Sequence, residues 1–168
     1  MDAPVKPRRS TDNCRMRIVA MTPAYAADVV TWSYDEPYAC YDMTGADPEF
    51  LTDPANGFFA LVDESSLIGF RSFGPDGQVP GGSYDGEALD TGGGLRPELT
   101  GQGLGRLAIA TGLAFGREHF SPSAFRVTVA SFNVRARRVV ESLGFRWTSQ
   151  FAATTDGRRY DILVRPER

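Results

Sequence analysis

The sequence predicts a single α/β domain of three layers, in which helices cover both faces of a mixed, largely antiparallel sheet of about six to seven strands. Strand-like runs at 57–62 and 66–73 flank a short turn, and this arrangement predicts a hairpin. Further along, a strand-like run ending at Pro97, a helical pattern and a strand-like run at 125–130 follow in the order of a βαβ unit.

The remaining elements have local signals of their own. The alternating run 15–20 predicts a first strand, and Thr22 before Pro23 predicts a helix start, with the helix continuing to Trp32. Asp47 is a possible cap of a short helix or turn. The later elements that we expect are helix 133–143, strand 145–154 and strand 159–164.

Composition excludes several classes of protein. The 168 residues suit one domain, and no apolar run approaches the roughly 18 residues of a membrane span. A net charge of -3 argues against a general nucleic-acid surface. Cys14, Cys40 and the single His119 cannot complete a four-ligand zinc site by themselves, so we expect no metal.

Residues 1–14 are polar and rich in proline and basic side chains, and we expect a flexible leader before a domain at 15–168. The leader lacks the apolar segment of a secretory signal. The sequence therefore predicts a cytoplasmic protein with reduced cysteines.

Three glycines at alternate positions stand directly before a helical pattern, in the run 100–105. Apolar side chains at spacings of three and four predict one buried helix face, formed by Leu104, Leu107, Ala108, Thr111 and Phe115. Glycines at a helix start let the backbone approach a ligand, while unpaired N–H groups and the helix dipole attract an anion. The run therefore predicts a phosphate site.

Three known kinds of phosphate-binding loop have glycines in a similar arrangement. A Walker loop is excluded because no Lys-Ser or Lys-Thr follows the glycines. The dinucleotide fingerprint is matched by Gly103, Gly105 and Ala108, but the acidic residue expected about 20 residues later is missing. The run also resembles the [R/Q]-x-x-G-x-[G/A] signature of the GNAT superfamily of N-acetyltransferases, with Thr100 where the family usually has Arg or Gln.

A second segment strengthens this resemblance. Residues 133–145 resemble the family block N-x-x-A-x-x-L-Y-x-x-x-G-F, with matches at Asn133, Ala136, Gly144 and Phe145. The position that often carries Tyr in the family is Val140 here. The two segments and the strand between them cover roughly residues 86–153, and together they are far more specific than either motif alone.

The resemblance implies that acetyl-CoA is the cofactor. Backbone amides of the loop would take its pyrophosphate, Thr100 would add a hydroxyl and Arg106 part of the missing charge. The backbone near Leu95 would pair with the pantetheine arm, and Asn133 would bond the arm, cap its own helix, or do both. The expected cofactor-binding residues are Leu95, Thr100, Gly101, Gln102, Gly103, Gly105, Arg106 and Asn133.

Transfer to an amine requires a base, and the family commonly places a carboxylate on the strand before the glycine loop. Asp90 is the preferred candidate and Glu87 the second, while a structural carboxylate satisfied by backbone donors is the alternative. The proton for the departing thiolate would come from Tyr84, Ser131 or water, between which the sequence does not choose.

Aromatic and acidic residues crowd the segment 32–43, which is interrupted by a proline. In the family, this part of the chain often forms the acceptor side of the cleft, so Tyr34, Tyr38 and Tyr41 are candidate substrate-binding residues. The alternatives are aromatic packing at the edge of the core and a protein interface.

These observations predict an acetyl-CoA-dependent N-acetyltransferase that acts on a primary amine of a small molecule or peptide. The alternative is a non-catalytic module that senses acyl-CoA, and a dinucleotide enzyme is a distant third. We expect no nucleic-acid or membrane partner, and a monomer or homodimer.

Overall fold

A seven-stranded sheet forms the centre of the protein, with the spatial order β1-β2-β3-β4-β5-β7-β6. The computed structural model describes residues 15–168, and the predicted leader at 1–14 lies outside them. The strands are β1 (Met16–Ala20), β2 (Phe58–Asp63), β3 (Ser66–Phe73), β4 (Leu89–Leu95), β5 (Ala124–Ala130), β6 (Arg146–Ala152) and β7 (Arg159–Pro166). Neighbouring strands are antiparallel except β4 and β5, which confirms the predicted mixed, largely antiparallel sheet.

Four α-helices cover the two faces of the sheet: α1 (Pro23–Val29), α2 (Pro48–Thr52), α3 (Gly105–Phe120) and α4 (Val134–Ser142). Helix α1 begins as predicted, because the Thr22 side chain accepts a hydrogen bond from the Tyr25 N–H and Pro23 takes the first helical position. It ends at Val29 rather than at the predicted Trp32. None of the helices in residues 15–168 has the length and apolar character that a membrane crossing requires.

Two apolar layers fill the space between helices and sheet. On one face, Ala26 and Val29 of α1 and Leu51 of α2 pack with Phe58 and Phe70 of the sheet. The opposite layer, beneath α3 and α4, contains the buried side chains Phe73, Leu113, Phe125, Val127, Val129, Val140, Phe145 and Leu163. Helices on both faces of one sheet confirm the predicted three layers.

The buried face of α3 differs in part from the predicted one. Leu104 and Ala108 are buried as expected, and Leu107, Thr111 and Phe115 are half-buried, with Phe115 packed against the core. The other buried positions of the helix are Gly112, Leu113 and Gly116. A Cβ on Gly116 would lie 2.7 Å from the Phe73 ring and 2.9 Å from the Phe125 ring. A hydrophobicity pattern does not count glycine as apolar, so it does not detect a helix face whose glycines allow the helix to lie close to the aromatic rings of the sheet.

The parallel strands β4 and β5 separate after a very short contact. Their paired positions are Leu89 with Phe125 and Asp90 with Arg126. Beyond this point β4 continues to Leu95 beside β3 alone, while β5 continues to Ala130 beside β7 alone. A gap therefore opens within the sheet, and its β4 rim leads directly into the glycine loop.

Candidate active site

The β4 rim of the gap has backbone groups without a strand partner. Arg96 donates its N–H to the Ile68 carbonyl at 2.8 Å, and Gly74 donates to the Asp90 carbonyl at 2.8 Å, so even-numbered positions face β3. Because peptide groups alternate in direction along a strand, odd-numbered positions face the gap. These positions are Thr91, Gly93 and Leu95.

The β5 rim follows the same rule. Ser131 donates its N–H to the Arg159 carbonyl at 2.9 Å, on the side of β7. The preceding N–H, that of Ala130, therefore points into the gap. Two strand edges that lack a partner strand thus face each other, and an extended ligand rich in amides would pair with the backbone groups that remain free there.

The glycine loop is held in shape by its own turn. Thr100 donates its hydroxyl proton to the Pro97 carbonyl at 2.7 Å, and the Gln102 amide donates to the Glu98 carbonyl at 3.0 Å. Gly101 and Gly103 have φ angles of 74° and 78°, in the left-handed region that side chains rarely adopt. Thr100 and Gln102 therefore shape the loop through contacts with the chain itself.

Helix α3 begins immediately after this loop with exposed N–H groups. Within residues 15–168 no side chain caps its start at Leu104, and the first backbone bond runs from the Ala108 N–H to the Leu104 carbonyl at 3.0 Å. A Cβ added to Gly105 would meet nothing within 4 Å. An open, uncapped helix start is a natural position for a phosphate group.

Two arginines lie near the glycine loop, the predicted Arg106 and the unpredicted Arg135. Arg106 donates to the Ser142 hydroxyl of α4 at 3.2 Å, which links the two helices. Arg135, in the first turn of α4, places its Nη1 atom 3.6 Å from where a Cβ of Gly101 would lie. Its guanidinium also stacks on the Tyr38 ring at 4.9 Å. Arg135 was missed because the motif comparison treats its position as variable.

The three predicted acceptor tyrosines lie around the mouth of the gap. The Tyr34 hydroxyl donates to the Leu95 carbonyl at 2.6 Å on the β4 rim. The Tyr41 hydroxyl accepts from the Ala130 N–H at 3.3 Å on the β5 rim. The segment that joins these tyrosines, which contains the short 3-10 helix Tyr38–Tyr41, therefore spans the gap from one rim to the other.

Aromatic stacking fixes this segment against the start of α4. The Tyr38 ring lies 5.6 Å from the Phe132 ring, and the Tyr41 ring lies 6.4 Å from it. Burial raises the pKa of Tyr34 to about 12, and burial also raises the pKa of Tyr41. Both hydroxyls therefore remain protonated at neutral pH.

Asn133 caps the start of α4, which is one of the two roles predicted for it. Its Oδ1 accepts from the Ala136 N–H at 3.1 Å, and its Nδ2 donates to the Tyr41 hydroxyl at 3.2 Å. Val140, at the position of the family tyrosine, is 3% exposed and packs in the apolar layer beneath α3 and α4. A role for Asn133 in binding the cofactor stays a prediction.

Asp90 lies at the last paired position before the gap, in a buried ion pair. Its Oδ1 accepts from Arg126 Nε at 2.6 Å and its Oδ2 from Arg126 Nη2 at 2.8 Å, and Gln78 donates to Oδ2 at 2.9 Å. The bond to Asp90 raises the pKa of Arg126. Both oxygens are thus engaged in joining β4 to β5, while the role of base stays a prediction.

Glu87 lies before the strand on which the sequence analysis placed it. Strand β4 begins at Leu89, and Glu87 is exposed in the preceding segment. The chain leaves its 3-10 turn at Pro75–Gly77 and reaches β4 through an irregular loop, which a strand pattern does not anticipate. Glu87, the second candidate for the base, is therefore an exposed carboxylate in a loop.

The predicted sources of a proton are bound to neighbouring groups. The Tyr84 hydroxyl accepts from the Val79 N–H at 2.9 Å and lies 2.9 Å from the Thr128 hydroxyl. The Ser131 hydroxyl accepts from the Gln150 amide at 3.3 Å. Tyr84 is therefore close to the β5 rim of the gap, and Ser131 directly follows the last residue of β5.

Comparisons with known proteins agree with this geometry. The profile of the acetyltransferase (GNAT) family matches residues 24–145, which is most of the chain, so the protein belongs to this family. It is an N-acetyltransferase by family, and acetyl transfer is the general activity of the class. A comparison with curated proteins finds no match.

Three solved structures illustrate the proteins that share this fold. A chimera of spermidine N-acetyltransferase SpeG from Vibrio cholerae and hSSAT has 16% identity and a TM-score of 0.68, over 90% of this chain and 95% of its own. A GNAT-family acetyltransferase from Bacillus anthracis has 16% identity and a TM-score of 0.67, over 90% and 95%. RimJ from Mycobacterium smegmatis, in complex with CoA-disulfide, has 15% identity and a TM-score of 0.64, over 90% and 81%. At these identities, the likeness establishes the fold.

Proposed function

We propose that the protein transfers an acetyl group from acetyl-CoA to a primary amine of a small molecule or peptide. The observation that carries the proposal is the gap between β4 and β5, which combines two strand edges that lack a partner strand with an uncapped helix start at its end. Acetyl-CoA has both matching parts, since its pyrophosphate suits the helix start and its pantetheine amides suit the strand edges.

The residues present fit this cofactor at three points. Amides from Gly101 to Arg106 would surround the pyrophosphate, because alternate positions of the loop are glycines without a side chain to obstruct the backbone. Arg135 beside Gly101 would supply the positive charge that Thr100 lacks. The odd-numbered peptide groups of β4, including Leu95, would hold the arm. The bound cofactor supplies the activated acyl group, and the chain positions it against the acceptor amine.

The acceptor would enter from the side of the segment that carries Tyr34, Tyr38 and Tyr41. Asp35 and Glu36 are exposed there beside these rings, and carboxylates and aromatic faces both attract ammonium groups. A cationic amine is therefore the supported class of substrate. Acetylation of spermidine by structural neighbours agrees with this class, although the neighbours share only about a sixth of their residues with this chain.

The amine must lose a proton before it attacks the thioester. Asp90 and Glu87 stay the predicted bases: Asp90 stands at the closed end of the gap, and Glu87 lies three residues before it in an exposed loop. Water that reaches the mouth of the gap would accept the proton when neither carboxylate does so.

Gly105→Val tests the phosphate site directly. A helical Cβ is tilted toward the helix N-terminus, so valine would project into the open space ahead of α3 without backbone strain. We expect CoA affinity to fall at least about tenfold, which corresponds to loss of about 1.4 kcal/mol. Calorimetric titration measures the affinity, and thermal unfolding verifies that the fold persists.

Gly45→Val is the matched control, because a Cβ on Gly45 also meets nothing within 4 Å and this glycine lies outside the loop. Its CoA affinity should equal that of the natural protein. Equal CoA affinity in the Gly105 variant and the control would contradict the assignment of the phosphate site.

The second candidate function is a sensor that binds acyl-CoA without transferring the acyl group. The buried Val140 at the family tyrosine position is the observation that favours it. Incubation with acetyl-CoA and a panel of polyamines, aminoglycosides and peptides, followed by mass spectrometry, separates the two. CoA binding with no acetylated product across the panel would support the sensor.

A further inference from the structure

The Tyr41 hydroxyl has an unusual set of hydrogen-bond partners. Its oxygen accepts one bond from the Ala130 N–H at 3.3 Å and a second from Asn133 Nδ2 at 3.2 Å. A phenolic oxygen accepts in two directions and donates in one. Both accepting directions are therefore used, and among residues 15–168 no acceptor receives the Tyr41 proton.

The free proton of Tyr41 lies at the gap. The Ala130 N–H that it binds points away from β7, because the next N–H, that of Ser131, is the one directed at β7. The two N–H donors hold the oxygen from the β5 rim and from α4. These two bonds leave the hydroxyl proton uncommitted at the β5 rim of the gap, and burial, which raises the pKa of Tyr41, keeps that proton in place at neutral pH.

Tyr34 provides a contrast on the opposite rim. Its hydroxyl donates its proton to the Leu95 carbonyl at 2.6 Å, so the proton is already committed to the protein. Two tyrosines thus border the same gap, one with a committed proton and one with a free proton. Only the free one is a donor for a bound reactant.

We propose that the Tyr41 hydroxyl donates a hydrogen bond to the thioester sulfur as this sulfur leaves. The inference rests on the proposed function, since it requires an acyl-CoA in the gap. In the step, the acceptor nitrogen forms a bond to the acyl carbon and the carbon–sulfur bond breaks. The sulfur takes the electron pair and departs as a thiolate, while the nitrogen loses its extra proton to water to give the neutral amide. Solvent protonates the thiolate after release.

The energetic reason is the charge that develops on the sulfur. A preorganised donor aimed at that charge stabilises the transition state more than the neutral thioester. The two N–H bonds hold the Tyr41 oxygen before the reactant binds, so no reorganisation is needed when the charge forms. Tyr41 would then act in the place that Val140 leaves vacant.

The test compares the affinity of CoA with that of desulfo-CoA, which lacks the thiol, at several pH values. The CoA thiol becomes a thiolate as the pH rises through its pKa, so the pH range extends from below to above the pKa of free CoA measured in the same buffer. In the natural protein, we expect CoA to gain about tenfold in affinity over desulfo-CoA across this range, since hydrogen bonds to charged groups are the stronger ones.

Tyr41→Phe removes the donor and keeps the ring. We expect the ratio of the two affinities to become independent of pH in this variant, while Tyr25→Phe, in α1 and outside the gap, keeps the pH-dependent ratio of the natural protein. A merely structural role for Tyr41 would weaken both ligands equally at every pH. The same ratio in Tyr41→Phe and in the natural protein would overturn the proposal.

A second measurement does not depend on the stability of any variant. The thiol of CoA bound to the natural protein should titrate below the pKa of free CoA measured in the same buffer, as followed by the ultraviolet absorbance of the thiolate. A bound thiol that titrates at or above this value would overturn the role of Tyr41 and leave the proposed function intact. Failure of both CoA and desulfo-CoA to bind at any pH would overturn the proposed function itself.

Discussion

Asp90 and Arg126 form a bidentate ion pair in which each side chain is only 5% exposed. Replacing Asp90 with Asn keeps the volume but leaves the Arg126 charge buried without a counter-charge. We expect the free energy of unfolding to fall by about 3 kcal/mol, since breaking a buried pair leaves an uncompensated charge. Urea denaturation followed by circular dichroism measures this loss.

The control is Glu141→Gln, which breaks the exposed pair of Glu141 with Arg137, whose side chains are 45% and 37% exposed. This change should cost under about 1 kcal/mol, because solvent already screens the pair. A similar loss in both variants would contradict the structural role of the Asp90 pair.

The double variant Asp90→Asn with Arg126→Gln separates the structural role of Asp90 from that of a base. It removes both buried charges, so stability should recover in part. If turnover recovers along with stability, Asp90 acts through the structure of the gap. If stability recovers while turnover stays two to four decades low, Asp90 is the base, because general base catalysis is worth roughly that factor.

Arg135 lies close enough to the loop to add charge to the phosphate site. Arg135→Gln should weaken CoA binding by about tenfold, because a charge-assisted hydrogen bond to phosphate is lost. The matched control is Arg138→Gln, an exposed arginine on the same helix. Titration calorimetry of both variants at low and high salt provides the measurement. Equal affinities would remove Arg135 from the phosphate site.

At the scale of the element, α3 is shaped by glycines that bring its axis close to the sheet. Gly116→Ala would place a methyl group 2.7 Å from the Phe73 ring and 2.9 Å from the Phe125 ring. Overpacking of this kind costs about 1–3 kcal/mol, against a gain of about 1 kcal/mol for Ala over Gly in a helix. We therefore expect a net loss of stability in urea denaturation.

Gly105→Ala on the same helix is the comparison, since its Cβ meets nothing within 4 Å. This variant should be at least as stable as the natural protein, because it gains helix propensity without a collision. A stabilised Gly116→Ala would show that the two phenylalanine rings move aside at little cost.

At the scale of the whole molecule, the gap divides the sheet into two halves that are joined by two paired positions. Amide hydrogen exchange should detect the gap, because the exchange rates of successive amides along β4 should alternate between fast and slow. The amides of Gly93 and Leu95 face the gap and should exchange faster than those of Gly92 and Gly94, which face β3. Binding of CoA should then slow exchange at the odd-numbered positions.

Nuclear magnetic resonance resolves these amides individually, with β7 as the internal reference because it pairs on both sides. Uniform protection along β4 before CoA is added would mean that the gap is closed in solution. Protection by CoA at even-numbered positions alone would contradict the proposed placement of the pantetheine arm.

The sequence by itself determined the order and type of the main elements and the position of the glycine loop. Their signals are local: Thr22 caps α1, Asn133 caps α4, and the glycines at 101 and 103 have the left-handed φ angles that favour glycine. Such signals depend on neighbours a few residues away, so they can be recognised from the sequence before the fold is known. The family resemblance arises from the same local segments.

Only the tertiary structure decided which side chains meet at the gap. Asp90 and Arg126 are 36 residues apart in sequence, and Tyr41 and Ala130 are 89 residues apart. Arg135 reaches Gly101 because α4 packs beside the loop, and Gly116 is buried because rings from other elements meet it there. These contacts depend on how distant elements pack against one another, and no local pattern of residue types encodes that packing.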